Sequence, residues 1–346
     1  MRIEWKVAAT GKMRKIKVMF DGFGSTLEEI SQRTESNAIL KILNKYYDVE
    51  FSRNPDYIFY SIGGKDYYKY DGIRIFCTIE ALCPDFNLCD YGMGFEYLSY
   101  GDRYFRFPNF CFDPELVFDM QHKHTRITPD MADRKFCSFV YSNVEADDMR
   151  RKLFERLSAY KKVDSGGKLL NNLPDGLPVK DKRAFEEQHK FSIACENAYH
   201  PGYHTEKLAD AFAAGTVPIY WGDPEVEKVF NPKAFINCNA YSTLEAVAKK
   251  VIYLDTHPEE YLSMLQQPAL LEGCDPIYTE RGMEQLEGYL RHIFDQPYEE
   301  AFRRNRGFWG KYYLNRIRST GRVIEEYNKL RESGPGRLMR KIKGTR

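Results

Sequence analysis

Two nearly unbroken apolar runs, "KFSIACEN" and "VPIYWG", flank the helical pattern "TEKLADAFAAG" between positions 190 and 222. A run without polar alternation suits a strand buried on both faces. Such strands need helices on both sides, which restricts the chain to layered α/β folds with parallel sheets. "KFCSFVYSN" (135–143) is a third run of this kind. It is followed by "ADDMRRKLFERLSAY", with helical spacing at Met149, Leu153, Phe154 and Leu157. The strand "AFINC" and helices over 243–254 and 258–266 continue the alternation. Between them, 161–182 holds Gly166, Gly167, Pro174, Gly176 and Pro178, and reads as a loop long enough to be functional.

The first half shows the same grammar less regularly. "IKVMF" (16–20) predicts a strand that ends in the turn "DGFGST". Leu27, Ile30, Ile39, Leu40 and Leu43 space "LEEISQRTESNAILKIL" as a helix. "DYIFYSIGG" and "IRIFCTIE" read as buried strands, and "YGMGFEYL" as a further one. The chain has 346 residues, enough for two domains of about 150 each. The expected division is an α/β domain over 1–134, a second over 135–300, and a tail over 301–346.

In open parallel sheets, ligands bind beyond the carboxyl ends of the strands. The loops to watch are therefore 21–25, 78–85, 142–150, 196–207 and 222–224. The fourth is the richest. Thr205 suits an N-cap, and Glu206 and Lys207 fall in the first helical turn. Free N–H groups and the helix dipole favour a phosphate there, and Lys207 adds a point charge. A plain, well-capped helix would show the same three residues. Glu196 and Asn197 at the preceding strand end, with Tyr203 in the connection, tilt the reading towards a nucleoside diphosphate.

Other chemistries lack their signatures. There is no G-x-x-x-x-G-K-[ST] and no G-x-G-x-x-G, against a P-loop or an ordinary dinucleotide site. No Asp-x-Asp occurs, so the usual carboxylate pair for a metal–diphosphate site is missing. His122, His124, Asp147 and Asp148 have no further spaced ligands and read as solvated surface. The eight cysteines form no C-x-x-C pair and read as reduced thiols of a cytoplasmic protein. No leader is expected, since Arg2, Glu4 and Lys6 interrupt the start, and no apolar run approaches 18 residues.

The stretch "FSIACENAYHPGYHTEKLADAFAAGTVPIYWGDPEVEKVFNPKAFI" resembles the donor-binding signature of the α-1,3/1,4-fucosyltransferases, glycosyltransferase family 10. Glu-Asn, a Tyr before Thr-Glu-Lys, a Val-Pro before Gly and a later Pro before Ala-Phe-Ile recur at matching spacing. "PDFNLCDYGMGFEYLSYGDRYFRFP" (84–108) looks like the N-terminal domain of the bacterial members. The resemblance covers roughly 16–267.

It implies a GT-B fold, two facing Rossmann-like domains with a cleft between them. It implies inverting transfer of L-fucose from GDP-β-L-fucose to an acceptor hydroxyl, expected to be O3 of N-acetylglucosamine in a galactose-containing glycan such as lipopolysaccharide O-antigen. The general base maps onto Glu80, which on residues alone would be a solvated strand-end carboxylate. The donor contacts map onto Arg150, Asn197, Tyr203, Glu206 and Lys207, with Arg151 adjacent to Arg150. Arg150 and Lys207 are expected to take the diphosphate charge, so no cofactor is required and a divalent metal is at most stimulatory. Ile79 and Ala81 stand where bacterial relatives often carry Gly and Asn beside the base, which leaves the acceptor, N-acetyllactosamine-like or lipid-linked, less determined than the donor. Two rivals remain: a transferase of this fold using another sugar nucleotide, and a non-catalytic nucleotide- or membrane-binding protein.

The net charge of +1 hides an asymmetry. Positions 303–346 hold 14 Lys/Arg and 3 Asp/Glu, or +11, leaving the rest of the chain at −10. Trp309, Tyr313, Ile317, Ile324 and Tyr327 form an apolar stripe in this basic tail. The stripe is expected to pack on the body. The final "RLMRKIKGTR" is expected to touch anionic membrane, placing the protein in the cytoplasm, peripheral on the inner face. Nucleic acid is not an expected partner.

Overall fold

The structure is a computed structural model that describes residues 13–24 and 37–332. Two parallel sheets organise it. The first contains β1 (Arg14–Asp21), β2 (Tyr47–Phe51), β3 (Tyr57–Tyr60), β4 (Ile73–Cys77), β5 (Tyr91–Gly94) and β6 (Tyr104–Arg106), in the order β2-β1-β3-β4-β5-β6. The second contains β7 (Lys135–Phe139), β8 (Val163–Ser165), β9 (His189–Cys195), β10 (Val217–Trp221) and β11 (Ile236–Asn237), in the order β11-β10-β9-β7-β8. Every residue of β3, β4, β5, β9 and β10 is buried, which is why these strands read as unbroken apolar runs.

The helices are α1 (Ala38–Tyr46), α2 (Pro114–Gln121), α3 (Met149–Ser158), α4 (Lys182–Glu186), α5 (Glu206–Ala213), α6 (Leu244–Thr256), α7 (Pro258–Leu265), α8 (Gly282–Asp295), α9 (Tyr298–Ala301) and α10 (Phe308–Glu332). Asn37 caps α1, its Oδ1 accepting from the Leu40 N–H at 3.1 Å. The expected helix over 27–43 is therefore described only from Ala38 onwards, and its Leu27 and Ile30 lie outside the described residues. β8 occupies the start of the segment read as a loop over 161–182, and the loop proper follows it.

The sheets are not separate bodies. α2 lies against α5 of the second sheet's layer. α8 returns to the first sheet, where Phe294 stacks on Tyr57 at 4.2 Å between ring centres. One hydrophobic core runs from Ile16, Phe59 and Ile75 through Leu290 and Phe110 to Phe212 and Phe230. A second, around Phe139, Phe191 and Ile219, belongs to the five-stranded sheet.

The tail stripe departs from expectation. α10 docks by a face carrying Tyr313, Ile317, Arg318 and Gly321. The Tyr313 hydroxyl donates to Asp85 Oδ2 at 2.7 Å, and Arg318 Nε donates to the Tyr68 carbonyl at 2.8 Å. Trp309, Ile324 and Tyr327 are exposed instead, beside Phe308, Tyr312, Val323 and Leu330. The hydrogen-bonding groups of Arg318 and Tyr313 set the helix's rotation, and an apolar count along the sequence does not weigh them. "RLMRKIKGTR" lies outside the described residues. Among the described residues, no helix is long and apolar enough to cross a membrane.

Candidate active site

β9 ends at Cys195, and the next residue, Glu196, is fully buried. Its carboxylate accepts from the Thr205 N–H (2.7 Å) and the Thr205 hydroxyl (2.7 Å). Thr205 occupies the N-cap position of α5, but its side chain makes no capping bond. A carboxylate nine residues upstream thus ties down the helix entrance. Gly222 makes room for it. A Cβ there would sit 2.4 Å from Glu196 Cγ, at φ +156°.

Lys207 completes this corner. Its Nζ lies 2.9 Å from Thr205 Oγ1, 3.2 Å from Glu206 Oε1 and 3.3 Å from Glu196 Oε2. Burial would lower the lysine, but Glu196 and Glu206 outweigh it and hold it above its ordinary value. The ammonium therefore stays charged at the first turn of α5, where free N–H groups already favour an anion. Glu206 is held down to about 2: burial alone would raise it, and Lys207, Asn109 and its own backbone N–H overcome that. Asn109, on the first sheet's side, donates from Nδ2 to Glu206 Oε2 at 2.6 Å.

Arg150 sits on the other side of Glu196. It is 2% exposed, in the first turn of α3. Its Nη2 donates to Asn197 Oδ1 (2.8 Å) and the Glu196 carbonyl (3.2 Å), and its Nη1 to the Asn143 carbonyl (3.2 Å). Its plane lies over the Tyr141 ring at 4.5 Å. Its Nε is buried and lacks a partner. Arg151, by contrast, points to solvent and pairs with Asp148.

Tyr203 crosses to the first sheet. Its hydroxyl donates to Glu80 Oε2 at 3.1 Å. Burial, with Glu196 and Glu80 nearby, keeps the phenol protonated. Glu80 follows β4, in a turn fixed by its own N–H donating to Thr78 Oγ1 at 3.0 Å. A cavity of about 380 Å³ opens beside it, lined by Phe23, Ile39, Ile62, Met93, Phe107 and Phe112 among others. The six residues named from the sequence therefore fall in one neighbourhood: Arg150, Asn197, Glu206 and Lys207 gather about Glu196 on the second sheet's side, and Tyr203 reaches from there to Glu80 on the first.

Next to Tyr203 lies a buried latch. His204 Nδ1 faces Asp223 Oδ2 at 2.9 Å, and its Nε2 faces the Tyr278 hydroxyl at 3.1 Å and Arg106 Nη2 at 3.3 Å. Burial pushes His204 down to about 4 despite Asp223. Arg106 Nη2 also donates to the Gly202 carbonyl at 3.1 Å.

Comparison with known proteins fits this geometry. Residues 19–113 match the α-(1,3)-fucosyltransferase FucT N-terminal domain, and 131–267 match the glycosyltransferase family 10 (fucosyltransferase) C-terminal domain. The chain belongs to glycosyltransferase family 10.

Within the family, the α-(1,3)-fucosyltransferase FucT of Helicobacter pylori is 31% identical over 309 residues, 78% of this chain and 64% of the relative. The bovine 3-galactosyl-N-acetylglucosaminide 4-α-L-fucosyltransferase FUT3 is 33% identical over 135 residues, covering 38% of this chain and 36% of the relative. The chain thus spans less than two thirds of the length of these relatives. A crystal structure of an α1,3-fucosyltransferase with GDP-fucose superposes with a TM-score of 0.68 at 28% identity, covering 85% of this chain and 95% of the other. The two facing parallel sheets are the GT-B arrangement of these family 10 structures.

Several residues of this family 10 site escape sequence reading. Glu196 is visible as a polar strand end, but its capping role needs the fold. Asn109 reaches Glu206 across 97 positions, and Arg106 and Asp223 join only through the latch. His122 is partly exposed and His124 exposed, while Lys123 between them turns inward to the Leu265 carbonyl. Among the described residues, no group of three His, Cys, Asp or Glu side chains converges as a metal site would require.

Proposed function

We propose that the chain is an inverting α-1,3-fucosyltransferase that moves L-fucose from GDP-β-L-fucose to a glycan hydroxyl. One observation carries the reading: the Glu80 carboxylate accepts from Tyr203, whose loop leads into the helix entrance where Lys207 pairs with Glu196, and Arg150 holds the Glu196 carbonyl. In this reading Glu80 takes the acceptor hydroxyl proton while that oxygen attacks the fucose anomeric carbon from the face opposite GDP. The bond to the β-phosphate oxygen breaks, and its electron pair leaves with GDP. Lys207 and the unpartnered Nε of Arg150 meet the diphosphate charge. The carboxylate of Glu206 and the amide of Asn197 accept and donate to the nucleoside. No cofactor is needed, and a divalent metal is at most stimulatory.

The acceptor in this reading is an N-acetyllactosamine-like or lipid-linked glycan, fucosylated at O3 of N-acetylglucosamine, as in lipopolysaccharide O-antigen. The site of action is the cytoplasmic face of a membrane, reached through the basic tail.

The test is GDP release from GDP-fucose, with and without N-acetyllactosamine, in wild type and Glu80→Ala. Acceptor-dependent release that survives EDTA and falls about 10²–10⁴-fold in the variant is expected. A panel of other sugar nucleotides giving faster release would overturn the donor assignment.

A further inference from the structure

The family resemblance counts Tyr203 among the donor contacts, but its surroundings describe a different task. Tyr203 is 1% exposed, so little of it is left to touch a nucleotide. Its ring stands edge-on to Phe95 of the first sheet's side, 4.9 Å between centres. Its hydroxyl is committed to Glu80 Oε2. Among the described residues, that is the one hydrogen bond to the Glu80 carboxylate, and Oε1 has none.

The loop that carries Tyr203 is clamped from both domains. Gly202 takes φ +83°, and a Cβ there would meet the Phe95 carbonyl oxygen at 2.5 Å. Asp223 Oδ1 accepts from the Gly202 N–H at 2.8 Å, while Arg106 donates to its carbonyl. Next in the chain, His204 is locked to Asp223. A phenol held this firmly can set the direction of a side chain that otherwise rotates freely about three bonds. Glu80 has no other such support, because Thr78 fixes only its backbone.

We propose that Tyr203 is a positioning residue for Glu80: a hydroxyl supplied by the donor-binding domain aims the base of the facing domain, leaving Oε1 to receive the acceptor proton. The inference rests on the reading of Glu80 as the base. It ties the base's orientation to the seating of the two domains, so the base is set only where the donor loop is docked.

The experiment is Tyr203→Phe in the full chain, which keeps the ring and deletes the hydroxyl. Kinetics with GDP-fucose and N-acetyllactosamine are measured alongside GDP-fucose binding by calorimetry and the melting temperature. A kcat loss of about tenfold to a hundredfold is expected, the size that a small misplacement of a reacting group produces. The donor Kd stays within about twofold, so the loss appears in kcat and not in donor binding. Placed in a Glu80→Gln background, Tyr203→Phe costs nothing further, because two groups acting as one unit do not add.

A weakened donor Kd with an unchanged kcat would make Tyr203 a donor contact and overturn the proposal. So would additive losses in the double variant, or wild-type kinetics in the single one. Full turnover by Glu80→Gln alone would sink the base itself, a failure of the functional reading that is separately visible. Should Tyr203→Phe not fold, Phe95→Leu loosens the ring's seat without touching either oxygen. It should lower kcat about threefold to tenfold with donor affinity kept, and unaltered kcat there would count against the role.

Discussion

The two halves of the cleft are built on opposite principles. On the second sheet, every polar side chain near the helix entrance is held by another: Glu196 by Thr205, Glu206 by Asn109, Arg150 by Asn197. On the first sheet, one carboxylate stands beside an apolar cavity whose rim leaves Ile62 and Ile79 about 60% exposed (60% and 59%). A ligand of fixed chemistry rewards a prearranged polar cage, since ordering costs are met before binding. A loosely furnished apolar mouth tolerates variation in what it receives. The contrast assigns the constant partner to the second sheet and the variable one to the first.

That contrast can be broken at its stiffest point. Gly222→Ala pushes a methyl into Glu196 and needs a backbone angle that alanine avoids. It should cost about 1–3 kcal/mol of stability and weaken GDP-fucose in calorimetry, with the acceptor KM unchanged. An undisturbed donor Kd would mean that the Glu196 corner is not part of the donor half.

A second lever is pH. His204 is held neutral in the folded protein down to about 4, whereas the unfolded chain takes up its proton near 6.5. The unfolded state therefore binds more protons between these values, and stability falls as pH drops through that window. Asp223, Arg106 and Tyr278 face the ring. Arg106 stays charged here, and Asp223 is held below its ordinary value, so it titrates below the window. On the order of 1–2 kcal/mol should be lost between pH 7 and 5 in thermal melts. His204→Gln should flatten that slope, and an equal slope in both proteins would remove the latch from the account.

The gentlest test sharpens the other half. Ile79→Ser should raise the acceptor KM by about tenfold, roughly 1.4 kcal/mol of lost apolar contact, and leave the GDP-fucose Kd alone. A donor effect instead would blur the division between halves.

How much of this was legible follows from where the signal sits. β9, α5 and β10 announce themselves because each is local and strongly patterned. β2, with Asp48 and Glu50 in an edge strand, and β8, three residues long, carry too little pattern to be read. Glu206, Lys207 and Asn197 were readable because a strand end and a helix entrance bring them together within eleven residues. Arg150 followed from the resemblance and the start of a helix. The partnership of Glu80 with Tyr203 spans 123 positions, so only the fold could reveal it. The tail's apolar stripe does not give its rotation, because the Tyr313 hydroxyl and the Arg318 guanidinium seat α10.

The return of α8 to the first sheet has a consequence for how the protein is made. Phe294 covers Tyr57, and Arg304 is paired with the buried Asp90, just ahead of β5 in that same sheet. The strands of the first sheet, which leave the ribosome before those of the second, must therefore wait for residues near 300 before their faces are closed. Chains usually fold from the N-terminus as they emerge. Here the first-sheet domain is synthesised before the second yet completed after it, and its half-covered apolar strands are the stretch that a chaperone would shield during translation.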